Sequence, residues 1–157
     1  MSHKQFLFIN YIIFSICFAQ NIQIADSVII GINSINRNHG SIIIDVFDIN
    51  NNPIAGVQLD FDGNELFIID SVSGGRCQDN KFTMYSNEKN RILAFSMEGN
   101  TIPESLSKKV YDNSIFKIYG KQKKELVSND TIRFKSIIAG KKGNKLPSIS
   151  WPFFWEK

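Results

Sequence analysis

The chain has 157 residues, enough for one domain with a sizeable core. Its composition, 43% hydrophobic and 21% charged with only 10 glycines and 4 prolines, excludes a disordered or fibrous chain. A net charge of +3, from 18 basic and 15 acidic residues, is too small to support a nucleic-acid or membrane-surface partner.

The N-terminus carries a targeting signal. His3 and Lys4 precede Phe6–Ala19 (FLFINYIIFSICFA), a run without charge. A basic head, an apolar core of about 14 residues and a small residue at its end predict a secretory signal peptide over residues 1–19. Cleavage after Ala19 puts Cys17 three positions before the cut. The run falls short of the roughly 20 apolar residues that span a bilayer. Ile16 stands where lipid attachment to Cys17 would need a small residue. The expectation is an exported protein, secreted or at the cell surface, with no membrane insertion once the leader is gone. Loss of Lys4 lowers the charge to +2. Cys77 is then the only cysteine, so no intramolecular disulfide can form. It is expected as a small buried hydrophobe and not as a reactive thiol.

Residues 20–150 are expected to form the domain. Val28–Ile35 (VIIGINSI) is β-branched and predicts a first strand. Asn36–Gly40 is a turn by composition. Ser41–Asp48 (SIIIDVFD) is a near-continuous apolar run, as in a strand buried on both faces. Ile49–Pro53 breaks it. In Ile54–Asp62, Val57, Leu59 and Phe61 alternate with Gln58, Asp60 and Asp62, the period of a half-buried strand. Asp62-Gly63-Asn64 supplies turn residues before a strand at Glu65–Asp70, so a hairpin is expected here. Val72–Lys81 is expected as loop, then Phe82–Ser86 as strand, Asn87–Asn90 as turn and Ile92–Met97 as strand. Pro103-Glu104-Ser105 could open a helical turn. Ser114–Tyr119 and Thr131–Ala139 complete the strands, with turns at Gly120–Lys124 and Gly140–Pro147. Seven or more short strands with no helical period predict an all-β sandwich or barrel. The tail over residues 151–157, WPFFWEK, packs back, docks a partner, or continues into a longer chain. Packing is the expectation on grounds of apolar burial.

Catalytic chemistry has little material. His39 is the only histidine after the leader and sits in a turn that Asn38 and Gly40 already explain. There is no G-x-S-x-G elbow, and nothing favours a Cys77–His39 pair. One His and one Cys fall short of a zinc site. Asp60, Asp62, Asn64 and Glu65 resemble the front of a calcium loop, but its glycine comes too early and Ser71 stands where the closing glutamate belongs. Nothing marks one of these carboxylates as a glycosidase acid. Gly74-Gly75 stands alone, with no helix expected after it to bind phosphate. Arg37, Lys108, Lys109, Lys121, Lys123, Lys124, Lys141, Lys142 and Lys145 fall mainly in turns, where they are solvated and discourage edge pairing. Asn129-Asp130-Thr131 matches a glycosylation triplet. No catalytic, cofactor or metal residue is assigned.

The stretch Ile54-Ala55-Gly56-Val57-Gln58-Leu59-Asp60-Phe61 resembles the "AG-apolar-Q-apolar" strand of cohesin-type modules. Leu66, Val72–Gly75, Phe82, Ser86, Ile92–Ser96, Gly99-Asn100 and Ile102-Pro103 are similar to its continuation, and Gly143–Pro147 to its closing loop. The resemblance spans about Val28 to Pro147 and departs from the family at the charged Glu104–Asp112. It implies a two-sheet antiparallel sandwich of jelly-roll type, related to carbohydrate-binding modules, acting by binding and without catalysis. The expected function is therefore an exported, non-catalytic adhesion module with a protein partner or polysaccharide ligand and no cofactor. A secreted carbohydrate-active enzyme and a structural module of a larger surface protein remain as alternatives.

Overall fold

The computed structural model describes residues 27–62, 66–125, 127 and 130–155. The expected signal peptide with Cys17, the stretch Gly63-Asn64-Glu65, and Asn129 lie outside the described residues. Eleven strands carry the fold: β1 Val28–Asn38, β2 Ser41–Ile49, β3 Ile54–Asp62, β4 Phe67–Ser73, β5 Thr83–Ser86, β6 Arg91–Phe95, β7 Ser114–Gln122, β8 Thr131–Gly140, β9 Lys145–Leu146, β10 Ser148–Trp151 and β11 Phe153–Phe154. A short helix, α1, covers Gly75–Asp79, and a 3-10 turn covers Val110–Asp112.

The strands form the all-β, two-sheet sandwich expected from the sequence. One sheet has the order β10-β1-β2-β7-β4, and the other β11-β8-β3-β6-β5 with β9 beside β8. Pairing is antiparallel except between β1 and β10, which run parallel. Period-2 alternation builds the core: Ile30, Ile42, Ile44, Val57, Leu59 and Ile118 are all buried between the sheets. Each such side chain contributes about 1.5–3 kcal/mol by leaving water.

Four local expectations change. First, β3 and β4 do not form a hairpin. Both edges of β3 are hydrogen-bonded, one to β6 and one to β8, so β4 crosses to the other sheet and pairs with β7. Second, β1 runs on through Asn38, because His39 and Gly40 alone make the turn. Both have positive φ, 48° and 84°, as a two-residue turn between right-twisted strands requires. Third, β2 is not buried on both faces, since Ile43 is exposed. Fourth, the expected loop at Val72–Lys81 contains α1, so a helix does follow Gly74-Gly75, while none opens at Pro103. Gly75 has φ 61°, and a Cβ there would lie 2.6 Å from the Ile115 backbone. The aromatic tail packs back only in part: β11 pairs with β8, Phe153 and Trp155 lie against the core with Arg37 4.3 Å over the Trp155 ring, and Trp151 and Phe154 stay exposed.

One end of the sandwich is closed by a polar clasp. Asp48, near the end of β2, is fully buried. Arg76 of α1 donates from Nη1 to both its carboxylate oxygens at 2.9 Å, and to Asn50 Oδ1 and Ser105 Oγ at 3.1 Å. Its Nη2 donates to the Pro103 carbonyl. Asn50 Nδ2 donates to the carbonyls of Asn52 at 2.8 Å and Pro103 at 2.9 Å. The Ser105 N–H donates to the Asn50 carbonyl at 2.9 Å. A charge in this position is tolerable only when paired and hydrogen-bonded, and removing one partner of such a pair costs about 3–5 kcal/mol.

Burial pushes the Asp48 carboxyl up from 3.8 to about 6, against the pull of Arg76. The carboxylate is ionised at neutral pH. Between those values the folded chain holds a proton that the unfolded chain has released, so stability falls as pH rises. We predict that denaturant titrations from pH 4 to pH 7 show wild type losing of order 3 kcal/mol relative to Asp48→Asn. A parallel pH dependence in the two proteins would refute this. Gly75→Ala is expected to lower stability by about 2 kcal/mol or more, read as a lower Tm, because alanine must adopt a left-handed backbone against Ile115.

Candidate functional site

The outer face of the second sheet leaves a row of apolar side chains in water, in addition to the exposed Ile43, Ile68 and Ile149 of the first sheet. Strand register aligns Ile137 of β8, Gln58 of β3, Leu93 of β6 and Tyr85 of β5 in one cross-strand row. Their inward neighbours Ile138, Val57, Leu59, Ile92 and Ala94 are in the core. In the row itself Ile137 is 47%, Leu93 38% and Tyr85 57% exposed. The next row is Ala139, Gly56, Phe95 and Thr83. Tyr85 and Phe95 stack at 6.1 Å between ring centroids, which holds the Tyr85 ring against the sheet. Met97, just beyond β6, is almost wholly in solvent.

A charged row borders the apolar one. Lys135, Asp60 and Arg91 face one another across β8, β3 and β6, followed by Arg133 opposite Asp62. Arg91 donates to Asp60 from Nε at 2.5 Å and Nη2 at 3.3 Å, and Gln58 Nε2 donates to it at 2.9 Å. The Arg91 hydrogen bond, ahead of all other causes, holds the Asp60 carboxyl below its usual value. Asp62 lies 3.8 Å from Lys135 Nζ. An apolar strip two strands wide or more with an ion-paired rim is the pattern of a protein-docking surface.

Asp60 and Asp62, two of the carboxylates singled out in the sequence, are thus part of this rim. Asp60 is committed to Arg91, and its lowered pKa is opposite to what a glycosidase acid needs. Asn64 and Glu65, the rest of the calcium-like cluster, lie outside the described residues. Among the described residues no group of three or more His, Cys, Asp or Glu side chains could hold a metal ion. His39 is exposed at the β1–β2 turn and contacts Asn38. Cys77 is fully buried on α1, and burial pushes its thiol above the ordinary value, with Asp48 adding to the effect.

Sequence reasoning passed over the apolar row itself. Its members sit in Phe82–Ser86, Ile92–Met97 and Thr131–Ala139, which are expected as strands with no outer face assigned to Tyr85, Leu93 or Ile137. The signal was present: in a two-sheet sandwich each strand has one outer face, so every second residue of such a run must meet solvent or a partner.

No protein-family model and no curated protein matches the chain. Solved structures do. A chain of the CaDoc0917–CaCohA2 complex superposes with a TM-score of 0.56 at 11% identity, over 80% of this chain and 96% of that one. The non-cellulosomal cohesin of the hyperthermophilic archaeon Archaeoglobus fulgidus gives 0.54 at 12% identity, over 80% of this chain and 87% of that one. The third ScaB cohesin of R. flavefaciens, in complex with a group 1 dockerin, gives 0.53 at 16% identity, over 81% and 91%. At such identities the likeness is one of fold. The described residues form a cohesin-like β-sandwich domain.

Proposed function

We propose that this protein is an exported, non-catalytic binding module that holds a partner protein on the outer face of β8, β3, β6 and β5. The observation that carries this is the exposed Ile137–Gln58–Leu93–Tyr85 row beside a charged row in which Arg91 pairs with Asp60 and Lys135 with Asp62. A central aromatic and aliphatic strip with a charged margin matches the hot-spot and rim arrangement of protein interfaces. The cohesin fold supports the same reading, and the R. flavefaciens structure is a cohesin in complex with a dockerin. Dockerin-type modules are therefore the first partner class to test. The absence of a catalytic constellation in the sequence, with His39 and Cys77 far apart in exposure, is consistent with binding without turnover.

Immobilised wild type and the double variant Leu93→Asp, Ile137→Asp would be offered a dockerin panel and extracellular proteins of the source. Both side chains are surface-exposed, so the variant should fold with an unchanged circular dichroism spectrum. We expect wild type to retain a partner at micromolar affinity or better and the variant to bind it at least tenfold more weakly, since truncating interface anchors costs more than about 1 kcal/mol each. Equal retention by both proteins would rule out this face.

Export is part of the proposal and rests on the leader-like residues 1–19. Mass spectrometry of the protein expressed in a secreting host is expected to find a mature N-terminus at Gln20 in the medium or periplasm. A cytoplasmic product that begins at Met1 or Ser2 would overturn it.

A further inference from the structure

A second surface feature lies at the margin of the docking face, where it shares Asp62 and Arg133 with the charged row. β8 pairs with β11 at residues 131–132 and with β9 at residues 138–139. Between those points that edge of β8 has no strand partner among the described residues. The chain passes over it on its way from β10 in the first sheet to β11 in the second, anchored by Ser136 Oγ to Ser148 Oγ at 2.9 Å and Ser150 Oγ at 3.1 Å. Pro152 fixes the chain direction at the crossing. Beside it lies an open cleft of about 280 Å³ lined by Asp62, Arg133, Phe134, Ser150, Trp151 and Pro152.

Three properties of this cleft define what it can hold. Trp151 leaves 58% of its surface in solvent, an apolar plate with one N–H donor at the mouth of a polar cleft. The Arg133 guanidinium is exposed and has no hydrogen-bond or ion-pair partner among the described residues. Asp62, opposite it in register, has only a 3.8 Å contact with an exposed lysine. The cleft therefore offers a flat ring-sized surface, a fork of donors and a carboxylate acceptor, with no net charge.

We propose that this cleft binds one or two units of a neutral polysaccharide, with the sugar ring against Trp151 and vicinal hydroxyls bridged by Arg133 and Asp62. A sugar ring has an apolar C–H face for the indole and hydroxyls that both donate and accept, so each lining group keeps a partner when water leaves. Other ligand classes fit worse. Asp62 opposes a phosphate or uronate, and Arg133 opposes a metal ion. An aliphatic side chain would strip water from both charges and return no hydrogen bond. Arg133 is four residues along β8 from Ile137, about 13 Å at strand rise, so a sugar here leaves the apolar row free. The shallow cleft keeps the ring half in water, which sets affinity in the high-micromolar to millimolar range.

The test is an isotope-edited NMR titration of the full chain with linear gluco-, manno- and xylo-oligosaccharides, with oligogalacturonate as the acidic control. The expected result is saturable binding of at least one neutral oligosaccharide, with the Trp151 indole N–H among the shifted signals and no binding of the acidic control. Trp151→Ala should weaken that binding at least tenfold and Arg133→Gln at least threefold, while Leu93→Asp leaves it unchanged. Arg133→Gln alters only an exposed side chain with no hydrogen-bond or ion-pair partner among the described residues, so it reports even where Trp151→Ala fails to fold. No binding of any neutral oligosaccharide, stronger binding of oligogalacturonate, or binding indifferent to Arg133→Gln overturns the proposal. Loss of protein docking in Leu93→Asp with sugar binding intact keeps the two sites separate.

Discussion

A carboxylate buried at the end of a β-sandwich cannot be left alone, and the arrangement of one whole end of this molecule follows from Asp48. Its charge is held in the interior only because Arg76 reaches it from α1. The same guanidinium also contacts Asn50, Ser105 and the Pro103 carbonyl, so it draws together the end of β2, the helix between β4 and β5, and the long connection between β6 and β7. That connection is the least regular part of the chain. It is held at its start by Ile102 pairing with Ile54, in its middle by Ser105 on Asn50, and at its end by the Asp48 N–H on the Asn113 carbonyl. None of these contacts stabilises much alone. Together they give every buried polar group at that end a partner, which a loop passing over a core requires.

With that end closed, the two sheets present very different outer faces. The first carries Asp45, Lys117 and Lys121 among its apolar residues, and an Asp45–Ser114 hydrogen bond interrupts it further. The second sorts its residues by row. Leu93 and Tyr85 fall side by side, with Ile137 one strand further on beyond Gln58, and the charges fall together beside them, because antiparallel register places residues of like position side by side. Asp60 pairs with Arg91 and Asp62 with Lys135, the opposite of the isolated, proton-holding carboxyl that a glycosidase acid needs. Surface ion pairs of this kind add little stability, of order 0–1 kcal/mol.

Much of the fold was legible from the chain in order. Period-2 alternation in Ile54–Asp62 and β-branched runs such as Val28–Ile35 mark strands because side-chain direction is a local property of extended backbone. The burial of Cys77 followed from apolar character alone, while the aromatic tail buries Phe153 and Trp155 in part and leaves Trp151 and Phe154 exposed. The Ile54–Gly75 hairpin failed for a non-local reason. Its turn residues were suitable, but β3 is a central strand, and its two edges belong to strands more than 30 residues further along the chain, such as Arg91 opposite Asp60 at a separation of 31. The α1 helix was missed because five residues of Gly, Arg, Cys, Gln and Asp have no helical period to detect.

The candidate sites divide in the same way. By itself the sequence determined an all-β domain of cohesin-like pattern and which residues carry charge, since these depend on composition and nearest neighbours. The tertiary structure alone decided that Asp48 meets Arg76 across 28 residues, that Ile137, Leu93 and Tyr85 share one exposed row, and that Trp151 stands beside Arg133 and Asp62. Each of these rests on strand register and sheet crossing. Register is set by the sum of pairings over the whole sandwich, and a shift of one residue would turn every one of these side chains to the other face.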